Sequence, residues 1–520
     1  MRNYFKYIAI LTLGIVSCEP ELDNPIDEAG SYTNGEADFS NYVALGNSLT
    51  AGYADGALYI TGQENSYPNI MAGQFSLVQE TGVFTQPLMA DNAGGLLMGG
   101  TQILDNRRVL AVGASGPSPK IYAGMAPTTD ITNVLSGPFN NMGVPGAKSF
   151  HLATPNYGNV SGVPVGTANP YFVRFASSTS STILADAAAQ NPSFFSLFIG
   201  NNDVLSFATS GGVGVDQTGN LDPSTYGKED ITDPQLFDII YSQIVTAMVG
   251  TGAGGVLLNI PDVTTIPYFT TIPNNALVLD ATKAASLTGF FRAVAGIFTQ
   301  KAMMGGATME QAQALAAQYA ITFNEGPNRF LIDVPVSQTN PLGFRQMTQQ
   351  ELLVLTIDQG ALAQGYGSVV LTPEVMEVLG ILQAEGQPTQ AQAQLVIDAV
   401  SGIDDKDVLD NQEIQAVAVA TTSYNATIKR LAEEKNLAFV DVNAFLTQVA
   451  NGGIPFDEGT LTSVFVTGGA FSLDGVHPTP RGYAAIANLV LDAVNQTYSS
   501  TVPKVNVGNY GTVTLSNDVQ

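Results

Sequence analysis

Four short, nearly unbroken apolar runs punctuate the chain: residues 42–45 (YVAL), 194–199 (FFSLFI), 255–260 (GVLLNI) and 437–442 (LAFVDV). The first closes on Gly46, the second on Gly200 and the third on Pro261-Asp262. Continuous apolar character over so few residues predicts strands buried on both faces, as in a parallel sheet. Between and after them the period becomes helical. Residues 69–75 predict a short helix. Residues 414–434 predict a long one, opened by the capping box Asp410-x-x-Glu413, and residues 483–494 a last amphipathic helix after Pro480. Strands alternating with helices predict an α/β fold, a three-layer α/β/α sandwich around a mostly parallel sheet.

Residues 272–407 break this alternation. They hold helical patterns and few clear strands: an Ala- and Gln-rich stretch at 307–319, a second capping-box candidate at Thr348-x-x-Glu351, and Thr372-Pro373-Glu374 with proline at a first helical position. They predict a large, mostly helical insertion that acts as a lid or wall. The expected division is a signal peptide at 1–17, a flexible tether at 18–38 and the first part of the core domain at 39–271. The insertion follows at 272–407, the second part of the core at 408–500, and at 501–520 a C-terminal extension, either an edge strand or loose. No internal repeat of fixed period is evident.

The N-terminus reads as an address. Arg2 and Lys6 precede an apolar run at 7–16, well short of the roughly 20 residues that cross a bilayer. That is the pattern of a secretory signal. It ends Ile15-Val16-Ser17-Cys18, which resembles a bacterial lipobox. The resemblance implies cleavage before Cys18 and lipidation of its thiol, so that the membrane becomes a partner. An ordinary signal peptide with an incidental cysteine is the alternative. Glu19, Glu21 and Asp23 follow, similar to the acidic tract of surface-exported lipoproteins of Bacteroidetes-type bacteria. This implies a lipid-anchored protein of the cell envelope, at the outer membrane, periplasmic or surface-exposed.

Charge and composition narrow the chemistry. With 19 basic against 45 acidic residues, a formal net charge of −26, the surface repels phosphate backbones and no nucleic-acid partner is expected. Cys18 is the only cysteine, so an intramolecular disulfide or a thiolate metal site is excluded. There are two histidines, His151 and His477. Any imidazole chemistry has those two candidates, and a zinc site built mainly from histidine is disfavoured. The cluster Asp404, Asp405, Asp407 and Asp410 lacks the central glycine of an EF-hand loop and reads as a helix start. No metal or cofactor is expected.

Four segments carry candidate chemistry: 42–52 (YVALGNSLTAG), 141–147 (NMGVPGA), 200–203 (GNND) and 474–478 (DGVHP). Ser48 follows a buried strand, where open α/β sheets bind ligands; it is either a nucleophile or a helix cap. Asp474 and His477, three apart before a helix, can lie side by side. The carboxylate then fixes the imidazole tautomer, so that the other ring nitrogen takes a proton from a serine. Asn202, just past the second strand, can donate to an oxyanion without adding charge, and Gly146 lets a backbone N–H approach a substrate oxygen. Both are equally ordinary as turn residues. His151 either lines the cleft or is structural.

Together these segments resemble the SGNH, or GDSL-like, hydrolase superfamily, whose four blocks occur here in order. The resemblance covers about residues 39–206, 254–269 and 423–496, not the insertion. It implies a flavodoxin-like sheet and a serine ester hydrolase, a lipase or esterase, with no cofactor. Ser48 matches the nucleophile, Asp474 and His477 the acid and base, and Ser48, Gly146 and Asn202 the oxyanion hole. Asn47 departs from the family's aspartate in the first block. The insertion and the Asn-Ile-Pro-Asp-Val segment at 259–263 look more like the larger secreted lipases and esterases. A small-molecule or lipid ester is the implied substrate, with acetylated carbohydrate as the rival. A non-catalytic surface-binding lipoprotein on the same fold is the alternative of another class.

Overall fold

The computed structural model describes residues 32–114, 116–384 and 386–520. The signal peptide, Cys18 and most of the tether lie outside the described residues. Five parallel strands form the central sheet: β1 (Tyr42–Gly46), β2 (Asn141–Gly143), β3 (Phe194–Phe198), β4 (Gly254–Leu258) and β5 (Ala438–Val440). Their order is β5-β4-β3-β1-β2. The chain therefore reverses its direction of growth between β1 and β3. Ligands in open α/β sheets bind beyond the carboxyl ends of strands at such a reversal.

Eight of the helices among the described residues frame the sheet, the site and the insertion. They are α1 (Ser48–Ala51), α2 (Tyr67–Phe75), α3 (Asn202–Thr209), α4 (Pro234–Val249), α5 (Ala281–Met304), α6 (Pro373–Gln383), α7 (Asn411–Lys435) and α8 (Pro480–Tyr498). Strand side chains alternate between two cores, as the pleat requires. Val43, Leu45, Phe195 and Leu197 join Phe237 and Tyr241 of α4 and Tyr424 and Ile428 of α7. Tyr42, Ala44, Phe194 and Phe198 join Ile70 and Met71 of α2 and Val490 and Leu491 of α8. With apolar cores on both faces, the sheet is the middle of three layers. The long helix α7 starts where the capping box places it: Asp410 accepts from the Gln412 and Glu413 backbones, and Glu413 accepts from the Asp410 N–H at 2.7 Å.

Several expectations need correction. β2 is a sheet strand although its three residues carry no readable pattern; Asn141 caps it from within, accepting from the Gly143 N–H at 3.0 Å. The insertion is only partly helical. Two-stranded ribbons interrupt it, such as Leu331–Asp333 with Phe344–Gln346, and it has a core of its own around Phe290, Phe291, Val294 and Tyr319. Thr348-x-x-Glu351 does not start a helix. Glu351 does accept from the Thr348 N–H at 2.7 Å, but Arg345 grips the same carboxylate at 2.6 and 2.9 Å and a strand, Leu352–Leu353, follows. The packed structure also begins before Phe39: the Glu36 N–H donates to Tyr498 O at 2.7 Å and Ala37 is buried. The C-terminal extension bridges a separate hairpin, Leu515 beside Leu110 and Val519 beside Tyr122.

Candidate active site

Ser48, His477 and Asp474, 429 residues apart at the extremes, meet beyond the carboxyl end of β1. His477 Nε2 lies 2.9 Å from Ser48 Oγ, and His477 Nδ1 lies 2.8 Å from Asp474 Oδ2. With the proton on Nδ1 donated to the carboxylate, Nε2 is left to accept from the serine hydroxyl. Ser48 is the first residue of α1, whose N-cap is Asn47; the Asn47 side chain accepts from the Leu49 N–H at 3.0 Å. The cap is thus Asn47, and the Ser48 hydroxyl is free for His477. Ser48 is only 6% exposed and the His477 imidazole beside it is partly exposed.

Asp474 is held from all sides. Oδ1 accepts from the N–H groups of Val476 and His477 at 2.9 and 2.8 Å and from the Ser472 hydroxyl at 3.1 Å. Oδ2 accepts from the Gly56 N–H at 2.8 Å besides the imidazole. Burial alone would push this carboxyl up. The facing His477 charge and these hydrogen bonds outweigh burial and hold it well below the usual carboxylate range. It stays ionised.

The oxyanion candidates sit on the two neighbouring strand ends. Gly146, in the loop after β2, has φ 80, a conformation costly for any residue with a Cβ. Among the described residues its N–H and that of Ser48 have no protein acceptor. Asn202 opens α3 after β3. Its Nδ2 donates one N–H to Ala147 O at 2.9 Å and keeps a second for a ligand. The loops are laced together: the Val144 N–H donates to Gly46 O at 3.0 Å, and Asp203 accepts from the Ser149 N–H and hydroxyl at 2.8 and 2.7 Å. The departure at Asn47 has a local role. Its Nδ2 donates to Asn201 Oδ1 at 3.0 Å, which joins the first loop to the third.

Sequence reasoning missed the clamp behind the acid. After α1 the chain turns back through Tyr53, Asp55 and Gly56. The Tyr53 ring packs 4.6 Å from the His477 ring. Asp55, buried with φ 56, donates its N–H to Ser472 Oγ at 2.9 Å and accepts from the Leu473 N–H at 3.0 Å and the Tyr59 hydroxyl at 2.8 Å. Gly56 takes φ 79, a conformation costly for any residue with a Cβ, and a Cβ there would also displace the Arg108 guanidinium, whose Nη1 would lie 2.0 Å away. The only local signal in the sequence is Asp-Gly, an ordinary turn pair.

His151 is structural. Its Nδ1 accepts from the Lys148 N–H at 3.0 Å, and its ring stacks 4.4 Å from Tyr157. Burial, aided by the Lys148 charge, pushes it down to about 3, so it is neutral and braces the loop after β2. The 404–410 acids are spent locally: Asp407 accepts from the Tyr366 hydroxyl and Asp404 pairs with Lys406. Among the described residues no group of three or more His, Cys, Asp or Glu side chains is gathered to hold a metal. No helix among them is long and apolar enough to cross a membrane. Compared with known proteins, the chain matches no family model, no curated protein and no solved structure.

Proposed function

We propose that this chain is a serine ester hydrolase of the SGNH or GDSL-like kind, cleaving carboxylic esters through an acyl-enzyme on Ser48. The observation that carries the reading is the unbroken row from Asp474 Oδ2 through His477 to Ser48 Oγ, with contacts of 2.8 and 2.9 Å. His477 Nε2 takes the Oγ proton as Oγ bonds to the ester carbonyl carbon. The carbonyl electron pair moves to oxygen, where the N–H groups of Ser48 and Gly146 and the free Asn202 N–H receive it. Collapse breaks the bond to the alcohol oxygen, to which His477 returns the proton. Water repeats the sequence on the acyl-serine, releasing the acid and restoring Ser48. Asp474 stays ionised throughout and stabilises the imidazolium.

The lipobox-like Cys18 supports an envelope location, with the catalytic domain tethered to the outer membrane. Hydrolysis of p-nitrophenyl esters by wild type and Ser48→Ala tests the activity. Wild-type turnover with a loss of about 10³-fold or more in the variant is the expected result; equal rates refute the reading.

A further inference from the structure

The two loops that carry the oxyanion donors also bury a pair of opposite charges. Lys148 comes two residues after Gly146, and Asp203 directly follows Asn202. Lys148 is 3% exposed and Asp203 is fully buried. Such residues are rarely buried so deeply without a counter-charge. Neither takes part in the proton transfers between Ser48 and His477.

Asp203 has a mechanical task. Its oxygens accept from the Ser149 N–H at 2.8 Å and the Ser149 hydroxyl at 2.7 Å. This fixes the loop of Gly146 to the start of α3. The tie brings a charge of the wrong sign. Consecutive Cα atoms lie about 3.8 Å apart, so an uncompensated carboxylate next to Asn202 would oppose the negative charge that the substrate oxygen gains. Within a protein such a field is far less screened than in water.

Lys148 supplies the opposite field. Its ammonium donates to Asp230 O at 2.6 Å. Burial pushes the ammonium down, while the charges of Asp203, Asp230 and Glu229 pull it up. Among the described residues it makes no contact ion pair, so it acts on Asp203 through space.

The other ionisable groups facing the pair hold one charge state near neutral pH. At Asp230, hydrogen bonds from Val215, Gln217 and Gly227 outweigh burial and keep it ionised. Glu229 pairs with Lys228 at 3.7 Å. Tyr226 and Tyr424, which feel the Asp203 charge, are pushed up chiefly by burial and stay neutral. His151 is held neutral chiefly by burial. At Asp203 burial prevails over the Ser149 hydrogen bonds and the Lys148 charge and pushes the carboxyl up, so the loss of Lys148 would push it further.

We propose that Lys148 is an electrostatic positioning residue of the oxyanion hole: it cancels the field of Asp203 where the substrate oxygen becomes negative, so that Asp203 can tie the two loops without opposing catalysis. This rests on the hydrolase reading.

Hydrolysis of a short p-nitrophenyl ester by wild type, Lys148→Met and Lys148→Met/Asp203→Asn, between about pH 5.5 and 8.5, tests it. At the upper end Lys148→Met should lose about tenfold or more in kcat, with KM within about twofold. The ratio of its kcat to that of wild type should fall as pH rises, because Asp203 opposes the oxyanion only once ionised. Asparagine at 203 can still accept from the Ser149 N–H and donate to the Ser149 hydroxyl. The double variant should therefore recover most of the lost kcat, and its ratio to wild type should no longer vary with pH. Thermal unfolding of each sample shows whether it is folded. If Lys148→Met is not, Lys148→Gln removes the same charge and keeps a donor for Asp230 O. Wild-type kcat in the single variant at every pH, or a pH-independent loss that the double variant retains, overturns this inference alone. A folded wild type inactive towards esters overturns the hydrolase reading and this inference with it.

Discussion

Replacing Asp474 with asparagine separates the charge of the triad acid from its shape. Asparagine keeps the size but offers one acceptor oxygen and one NH₂ donor, where Asp474 presents two acceptors to five donors. If the amide oxygen stays towards Val476, His477 and Ser472, the NH₂ faces His477 Nδ1 and the Gly56 N–H. The imidazole must then accept at Nδ1 and carry its proton on Nε2, where it points at Ser48 and cannot act as base. If the amide turns over, its NH₂ opposes the backbone N–H groups of Val476 and His477, and two buried donors lose their acceptor. Each unmade bond costs about 1–3 kcal/mol, so the first orientation, with only Gly56 unsatisfied, is favoured. The wrong tautomer should then lower kcat by about 10⁴-fold, about 5.5 kcal/mol of transition-state stabilisation. The stability cost should be about 1–3 kcal/mol. Steady-state hydrolysis of a short p-nitrophenyl ester, with thermal unfolding of the same sample, reads both. A variant within tenfold of wild type would show that Asp474 does not set the tautomer of His477.

Asn202→Ala should cut kcat by about 10²–10³-fold with a small change in KM, since its free N–H faces charge that develops only in the transition state; an effect confined to KM would argue against that role. Asp55 gives a pH-dependent prediction. Burial pushes it up from 3.8 to about 6 against the pull of the Leu473 and Tyr59 hydrogen bonds. Because its folded pKa lies above the unfolded one, its stabilising contribution is present below about pH 4 and is lost as pH rises through about 6, a span of about 3 kcal/mol. Asp55→Asn removes that titration, so its melting temperature relative to wild type should climb between pH 4 and 7; a difference independent of pH would contradict the assignment.

The strands of the sheet were readable because β1, β3, β4 and β5 are buried on both faces, which forces near-continuous apolar runs. β2 was not: three residues shared among Asn, Met and Gly are held by their neighbours rather than by their own pattern. Ser48, His477 and Asp474 were legible because the chain has only two histidines and one stands three residues after an aspartate. The clamp of Tyr53, Asp55 and Gly56 was illegible, because it depends on a left-handed aspartate and on a loop more than 400 residues away. Thr348 and Glu351 misled for a related reason. A carboxylate accepting from the N–H three residues earlier serves a helix start and a strand entry equally, and the partner that decides, Arg345, lies outside the motif.

The insertion between β4 and β5 also dictates a timetable. Ser48 and His477 are separated by 429 residues, and a ribosome adding about 5–20 residues per second needs roughly 20–90 s to cover that distance. For all of that interval the nascent chain carries Ser48 without His477, and for most of it the sheet lacks its β5 edge. The insertion, with a core of its own, can order first, whereas the row of Asp474, His477 and Ser48 closes only after the final loop has emerged. Contacts of such long range are slow to form. On the proposed reading, the nascent chain cannot act on esters until residue 477 has emerged, and fragments that stop short of His477 lack its imidazole.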